Sequence, residues 1–405
     1  MDYCVRASRC DYRASEVEIL KTLSEITAPL ERCWNKLKTA ETIVVKTNMV
    51  MQPERIRYHD GHRQELVDES VFRAVLRMLR DRTQARLIVV DTSYARVSER
   101  PGNDVYFLSQ LEKQGVGYHE ASVPPHATVA VPGGGLMFDR YKLSTVLSEA
   151  DAVVSLAKMK NHAFMGVTLC LKNLFGLTVT PPHGHPRTYF HHLVRLPYVL
   201  ADLGRIIQPD LCIVDGLVAQ SGREWGGEAR TPNVLVAGDH VIATDTCATW
   251  LMGHDPQGDW PNAPFRRDRN ALRVSAESGF GTASLDEIDF CCDREPPLAA
   301  FDSDELDPSQ KVTSWRRTMC EQALHYREHQ TELAQRYERE YVYLQNGAVI
   351  WHGADPRGPG SRRLLSGSDP ASAVYLKWAD PQEEEGERFE VYESALVQLE
   401  QDGRQ

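Results

Sequence analysis

Five short apolar runs, rich in valine and isoleucine, constrain this chain more than any other feature. They are Ile43–Lys46, Leu87–Val90, Ala152–Leu156, Leu211–Val214 and Val234–Ala237. None alternates apolar with polar residues, so each must be buried on both faces, as strands of parallel sheets are. All are too short for a buried helix. Helical spacing falls between them: Val67, Val71, Val75, Met78 and Leu79 recur on one face. Further helices are predicted over Asp104–Gln114, ending at Gly115, over Tyr141–Glu149, over Leu193–Ile207 and over Val241–Met252, the last with Asp239 as N-cap. Strands alternating with helices imply right-handed crossovers. The predicted fold class is α/β, with a doubly wound, mostly parallel, Rossmann-like sheet.

The texture changes near Asp293. Residues 1–292 read as the α/β domain and 293–405 as a small α+β appendage. In the latter, a polar helix is predicted over Ser314–Glu340, then a hairpin over Tyr341–Gly353 turning at Asn346–Gly347. The stretches AVYLKW and FEVYES read as further strands. Within the large domain, the segment from Pro124 to Leu143 reads as an inserted hairpin with Gly133–Gly135 at its turn.

A formal net charge of −11 over 405 residues argues against nucleic acid or an anionic membrane as the main partner. The amino terminus lacks the apolar core of a secretory signal, and no window is long and apolar enough for a transmembrane helix. Nine cysteines, odd in number and irregular in spacing, suit reduced thiols, and a cytoplasmic location is expected. No C-x-x-C run, G-x-G-x-x-G fingerprint, phosphate-binding P-loop or G-x-S-x-G elbow is present. The sequence therefore carries no motif for an iron–sulfur cluster, NAD or ATP.

In open α/β sheets, ligands bind beyond the carboxyl ends of the strands. Each apolar run here meets a polar cluster at that end: Lys46, Thr47 and Asn48; Asp91, Thr92 and Ser93; Lys158, Lys160, Asn161 and His162; Asp215; and Asp239. Lys158 and Lys160 alternate, so on an extended chain they project to one side. Adjacent ammonium groups repel unless an anion sits between them, so they read as a clamp for a carboxylate or phosphate. His162 continues that face as acid or base, with Asp215 or Asp91 to orient it. Lys172 and Asn173, near Gly176, reach the same crevice. Arg223, Glu224 and Trp225, beside Gly226 and Gly227, form a lid or an anion-binding loop. Asp245 lies among apolar neighbours and needs a partner, Lys46 or a clamp lysine. His183, His185, His191 and His192 leave two readings open: a transition-metal site for iron or nickel, or a loop covering the crevice.

The run from Ser155 to Leu177, followed by His191–His192, Asp202, IVDGL and LVAGDHVIATDTCATWLMG, resembles the family named domain of unknown function 362. KTNMV and VVDTS match its first two strand ends, and the stretch from Glu277 to Phe290 its close. The resemblance implies an α/β fold distantly similar to the nickel-pincer lactate racemase fold. It carries over Lys46, Asn48, Lys158, Lys160, His162, Lys172, Asn173, His191, Asp215, Asp239 and Asp245 as candidate site residues. Relatives commonly show Met-Glu-Gly after IVDG; Gln220, Ser221 and Gly222 stand here, with Glu224 as a substitute carboxylate. Some relatives add ferredoxin-like cysteine runs, which this chain lacks.

The leading expectation is an enzyme acting on a small anionic organic substrate by acid/base chemistry next to a carboxylate, of isomerase or lyase type, in a biosynthetic pathway. Lys158, Lys160, Lys46, Asn48, Asp91, Ser93, Lys172, Asn173, Arg223 and Glu224 would bind; His162, Lys160, His191 and Asp215 would carry the chemistry. The alternatives are a metal-dependent redox enzyme built on the His183–His192 cluster, and a non-catalytic binding protein. A homodimer is compatible with each.

Overall fold

The computed structural model describes residues 3–49, 51, 53–92, 108–181, 186–360, 369 and 373–402. Its centre is a ten-stranded sheet. Eight strands form the main path: β1 (Tyr3–Arg9), β2 (Thr42–Thr47), β3 (Arg86–Asp91), β4 (Gly117–Glu120), β5 (Ala152–His162), β6 (Leu211–Ser221), β7 (Val234–Gly238) and β8 (Ile288–Cys292). Their spatial order is β8-β1-β7-β6-β5-β2-β3-β4. The run β6-β5-β2-β3-β4 is parallel throughout, and β7 is antiparallel to both of its neighbours.

Two apolar layers explain the unbroken hydrophobic runs. Ile43, Val45, Val89, Val154 and Ile213 face one layer with Leu23, Val71 and Val75. Val44, Val90, Ala157 and Val214 face the other, with Leu196, Leu200 and Cys247. Successive strand residues point to opposite faces, so a strand covered on both sides must be apolar throughout. The helices that matter below are α1 (Glu16–Thr27), α2 (Glu69–Arg82), α3 (Cys170–Asn173), α4 (Arg195–Ile207), α5 (Val241–Leu251), α6 (Ser309–Glu328) and α7 (Glu390–Asp402). The Ser15 hydroxyl accepts from Glu18 N while the Glu18 carboxylate accepts from Ser15 N, a capping box on α1. Asp68 caps α2 through Ser70 N.

Several local expectations need correction. The helix expected over Tyr141–Glu149 is a strand, Arg140–Ser144, followed by a single 3-10 turn. Tyr141 and Leu143 are buried at strand spacing, and the segment pairs with His126–Ala130 as the inserted hairpin requires. The helix expected over Asp104–Gln114 is described from Leu108 to Lys113. FEVYES is the start of α7, where Val391, Tyr392, Ala395 and Leu399 recur at helical spacing. The polar helix breaks at His329, giving α6 and a short helix Gln330–Arg336. Strands β1 and β8 were not read from the sequence; β8 sits at the edge and alternates exposed and covered residues.

Asp239 is not the cap of α5. His240 is, through Nδ1 accepting from Ile242 N at 3.2 Å. Because β7 runs antiparallel to β6, its end lies at the opposite rim. There the Asp239 carboxylate accepts from Cys4 N at 2.9 Å and faces Arg32.

Residues beyond 293 build a three-stranded sheet, Ala348–Gly353 beside Glu340–Gln345 beside Tyr375–Ala379. The first two strands are joined by a turn with positive φ at Asn346 and Gly347. This part shares an apolar cluster with the large sheet, through Tyr326, Tyr341, Tyr375 and Tyr392. The fully buried Arg195 of α4 pairs with Glu387 at 2.8 Å and donates to the carbonyls of Tyr189 and Leu376.

Asp245 has neither partner expected for it. From α5 its carboxylate accepts from Cys170 N at 2.9 Å and Leu171 N at 2.7 Å, fixing the start of α3. Burial pushes this carboxyl up to about 7, against the pull of those two donors. Replacing Asp245 with Ala strands two buried N–H groups, and the expected loss is about 2–4 kcal/mol in urea unfolding.

Candidate functional site

Four strand ends meet at one rim. Register places Thr47 of β2 beside Leu156 of β5, Lys46 beside Val90 of β3, and Asp215 of β6 beside Lys158. Beyond them lies a cavity of about 100 Å³. Its walls include Lys46, Asn48, Asp91, Thr92, Lys158, Lys160, His162, Lys172, Asn173, Arg187, Glu224 and Trp225. Four lysines and an arginine thus face one small volume, where an ammonium group without a counter-charge is costly.

Two lysines have carboxylates. Lys158 Nζ lies 2.9 Å from Asp215 Oδ2, both residues fully buried, and that same oxygen accepts from Asp68 N. Asp215 therefore stands behind the wall as the partner of Lys158 and is not beside His162. Lys46 Nζ lies 2.8 Å from Asp91 Oδ1 and 3.0 Å from Asn173 Oδ1. Gly176 makes room for it, since a Cβ there would sit 3.0 Å from Lys46 Cε. Asn173 Nδ2 donates to the Lys46 and Leu156 carbonyls and so ties α3 to the strand ends.

The other two have none. Lys160 Nζ donates to the Glu65 carbonyl at 2.7 Å and lies 4.5 Å from the centre of the Trp225 ring. Burial lowers its pKa to about 8 despite the nearby Glu224 and Glu65. Lys172 Nζ makes no hydrogen bond or ion pair among the described residues and rests 4.2 Å from the Phe175 ring. Burial, with the positive charge of Arg187, Lys160 and Lys46 around it, lowers this amine to about 7. Asn48 Oδ1 and Thr168 Oγ1 also face the cavity without a hydrogen-bond partner among the described residues.

His162 is at the site in a different role from the expected acid or base. Its Nδ1 accepts from Phe164 N at 3.0 Å and Met165 N at 3.2 Å. A nitrogen that accepts two backbone N–H groups carries no proton, so the proton of the neutral ring is on Nε2. Burial, helped by Lys172, Arg187 and Lys160, lowers the ring to about 3 although Glu224 opposes this. His162 is therefore a neutral donor near pH 7, as the general rule for buried imidazoles beside cations requires. Its neighbouring carboxylate is Glu224, 3.8 Å away, and not Asp215 or Asp91. Burial alone would raise Glu224; the Ala163 N–H at 3.0 Å and Arg187 at 3.8 Å hold it below the usual carboxylate range.

The loop that carries Glu224 and Trp225 is latched from the opposite side. Gly226 N donates to Glu65 Oε1 at 2.6 Å, and Gln64 Nε2 donates to Gln220 Oε1 and the Gly227 carbonyl. Gly227 must be glycine, because a Cβ there would lie 2.0 Å from the Ser221 carbonyl oxygen.

The remaining candidates divide as follows. Arg223 turns outward to Asp304 at 3.6 Å and is not in the cavity wall. His191 packs behind the wall, its ring 5.4 Å from His162 and 4.8 Å from Phe164. His192 Nε2 donates to the Thr188 carbonyl at 3.0 Å. Ser93, His183 and His185 lie outside the described residues. Among the described residues, the group of three histidine and acidic side chains near enough to share an ion is His325, Glu328 and His329, on the surface at the end of α6. The cavity wall offers mainly amines and a guanidinium, which repel cations. Its described residues therefore do not fit a metal held directly by side chains. Arg187, Glu65 and Thr168 were missed in the sequence. Arg187 was legible as the one cation inside the histidine-rich segment; Glu65 meets Lys160 through its backbone carbonyl, a contact that leaves no signal in the sequence.

The fold and site define an α/β protein with a cationic crevice at one rim of its sheet, beyond the ends of four parallel strands. The chain belongs to the family described as Domain of unknown function (DUF362), which matches residues 43–250. The Thylakoid-associated protein sll1697 of Synechocystis sp. (strain ATCC 27184 / PCC 6803 / Kazusa) is 32% identical over 125 residues, 29% of this chain and 38% of that protein. The chain thus spans well under half of that relative. The structure of the lactate racemase apoprotein from Thermoanaerobacterium thermosaccharolyticum aligns with a TM-score of 0.38 and 14% identity, over 62% of this chain and 57% of that one. No helix among the described residues is long and apolar enough to cross a membrane.

The state of His162 sets a pH dependence. The unfolded ring protonates near 6.5 and the folded ring only near 3, so acid favours the unfolded chain. His240 and His254, each lowered to about 4 by burial, act in the same direction. The melting temperature is expected to fall as pH drops from 6.5 towards 4. His162→Asn, which keeps an acceptor for the two backbone donors, is expected to flatten part of that fall in scanning calorimetry.

Proposed function

We propose that this protein is an enzyme that binds a small anionic organic substrate at the rim of the sheet and moves a proton next to its carboxylate, as isomerases and lyases do. The observation that carries this reading is the pair of lysines, the buried Lys160 and the partly exposed Lys172, that face the cavity without carboxylate partners. A substrate anion supplies the missing counter-charge. Lys46 and Lys158, already paired, shape the potential around it.

An amine that titrates near neutrality serves as both proton donor and acceptor. Lys160 and Lys172 meet that condition, lowered to about 8 and about 7. His162 instead offers its Nε2–H as a neutral donor to a developing oxyanion. Trp225 and Phe175 give the cavity apolar walls that weaken competition from water. Glu224, held ionised, completes the wall beside His162.

Binding an anion favours the charged form of both lysines and so takes up protons. Affinity for a small carboxylate is therefore expected to fall as pH rises from 6 to 9, by at least tenfold, in isothermal titration calorimetry. The chemistry itself is tested by incubating the protein with a panel of small carboxylic acids in D2O and following loss of the proton next to the carboxylate by NMR. Exchange with the native protein that drops at least a hundredfold in Lys172→Met supports the reading. Carboxylates that bind yet exchange equally in both proteins leave a binding protein and no enzyme.

A further inference from the structure

We propose that Lys172 is a nucleophile that forms an imine with the carbonyl of a small oxo acid. This rests on the anion-binding reading of the same cavity and names its substrate class. The two lysines without carboxylates differ in what surrounds them. The Lys160 nitrogen donates to the Glu65 carbonyl at 2.7 Å, which favours its proton-bearing form and holds it in place. The Lys172 nitrogen has no hydrogen-bond or ion-pair partner among the described residues and lies against the Phe175 ring. It also sits on a rigid support: α3 is held at its start by Asp245 and at its end by the Asn173 bonds to β2 and β5. Burial and the like charges close around it, Arg187 and Lys160 among the cavity walls, favour the neutral amine against the opposing pull of Glu224. Apolar contact and neighbouring cations are the two conditions that make a lysine amine a nucleophile at neutral pH.

The step balances as follows. The neutral Lys172 nitrogen adds to the carbonyl carbon, and its proton passes to the oxygen, giving a carbinolamine. The Lys160 ammonium then donates a proton to the hydroxyl group, which leaves as water while the nitrogen lone pair forms the C=N bond. The product is a protonated imine, with no oxidant or reductant required. Arg187 is placed to hold the substrate carboxylate, and the His162 Nε2–H to hold the carbonyl oxygen during addition. The positive imine nitrogen then accepts electrons from the carbon next to the C=N bond, which makes loss of a proton from that carbon feasible, and loss of carbon dioxide where a 3-oxo acid carries its carboxylate there.

The test uses the full chain, pyruvate as probe and sodium borohydride to reduce any imine to a stable amine, with peptide mass mapping as readout. The expected result is an adduct on the peptide holding Lys172, at least tenfold above that on the peptide holding the exposed Lys21. It should rise in yield as pH increases through 7 and be absent from Lys172→Arg. Calorimetry with pyruvate, without borohydride, runs alongside. Binding without selective labelling of Lys172 overturns the imine and leaves the anion site standing. Absence of both binding and labelling overturns the imine and the anion-site reading together. Should Lys172→Arg fail to fold, the ratio of Lys172 to Lys21 labelling in the native protein decides the matter alone.

Discussion

A lysine ammonium group that leaves water must find an anion, hydrogen-bond acceptors, or a way to lose its proton. The rim of this sheet brings four lysines into that position, and the surrounding structure answers them one by one. Lys158 is matched by Asp215 and Lys46 by Asp91, each at under 3 Å. Removing one member of such a buried pair costs about 3–5 kcal/mol, because the other is left charged in a dry site. Lys160 finds a carbonyl, and Lys172 finds no polar partner among the described residues. The gradation from paired to unpaired separates the structural cations from those available to a ligand.

The supporting elements serve the same arrangement. Asp245 projects from α5 to hold α3, which presents Lys172 and Asn173. Asn173 then reaches back to the Lys46 carbonyl, so β2 and α3 share one network. On the far side, Glu65 receives Gly226 through its carboxylate and Lys160 through its carbonyl. One residue thus couples the loop bearing Glu224 and Trp225 to a cavity lysine. Hydrogen-bond networks of this kind hold reacting groups in place before a ligand arrives.

Much of this was legible in the sequence because the apolar runs are unambiguous. Strands buried on both faces have no polar positions, so Val44, Val89 and Val154 announced themselves, and the polar residues following them marked the rim. Orientation was not legible. The run at Val234 looks like the others, yet it is antiparallel, and Asp239 consequently stands at the wrong end of the sheet. Charge partners were not legible either, since Asp215, Asp91 and Glu224 are equivalent in a sequence and only geometry assigns them to Lys158, Lys46 and the neighbourhood of His162. The histidine itself was misleading. Its type suggests acid/base work, but two backbone N–H groups and complete burial fix it in the neutral form. Lysines, by contrast, read as surface charge until their burial is known.

Lys160, buried, and Lys172, partly exposed, are amines poised between charged and neutral forms at the mouth of the crevice. Nitrogen-15 NMR of the protein labelled in its lysine side chains measures this directly as pH is varied. Two resonances are expected to titrate near 8 and near 7, lost singly in Lys160→Met and Lys172→Met. A spectrum in which every lysine titrates above 10 would contradict this.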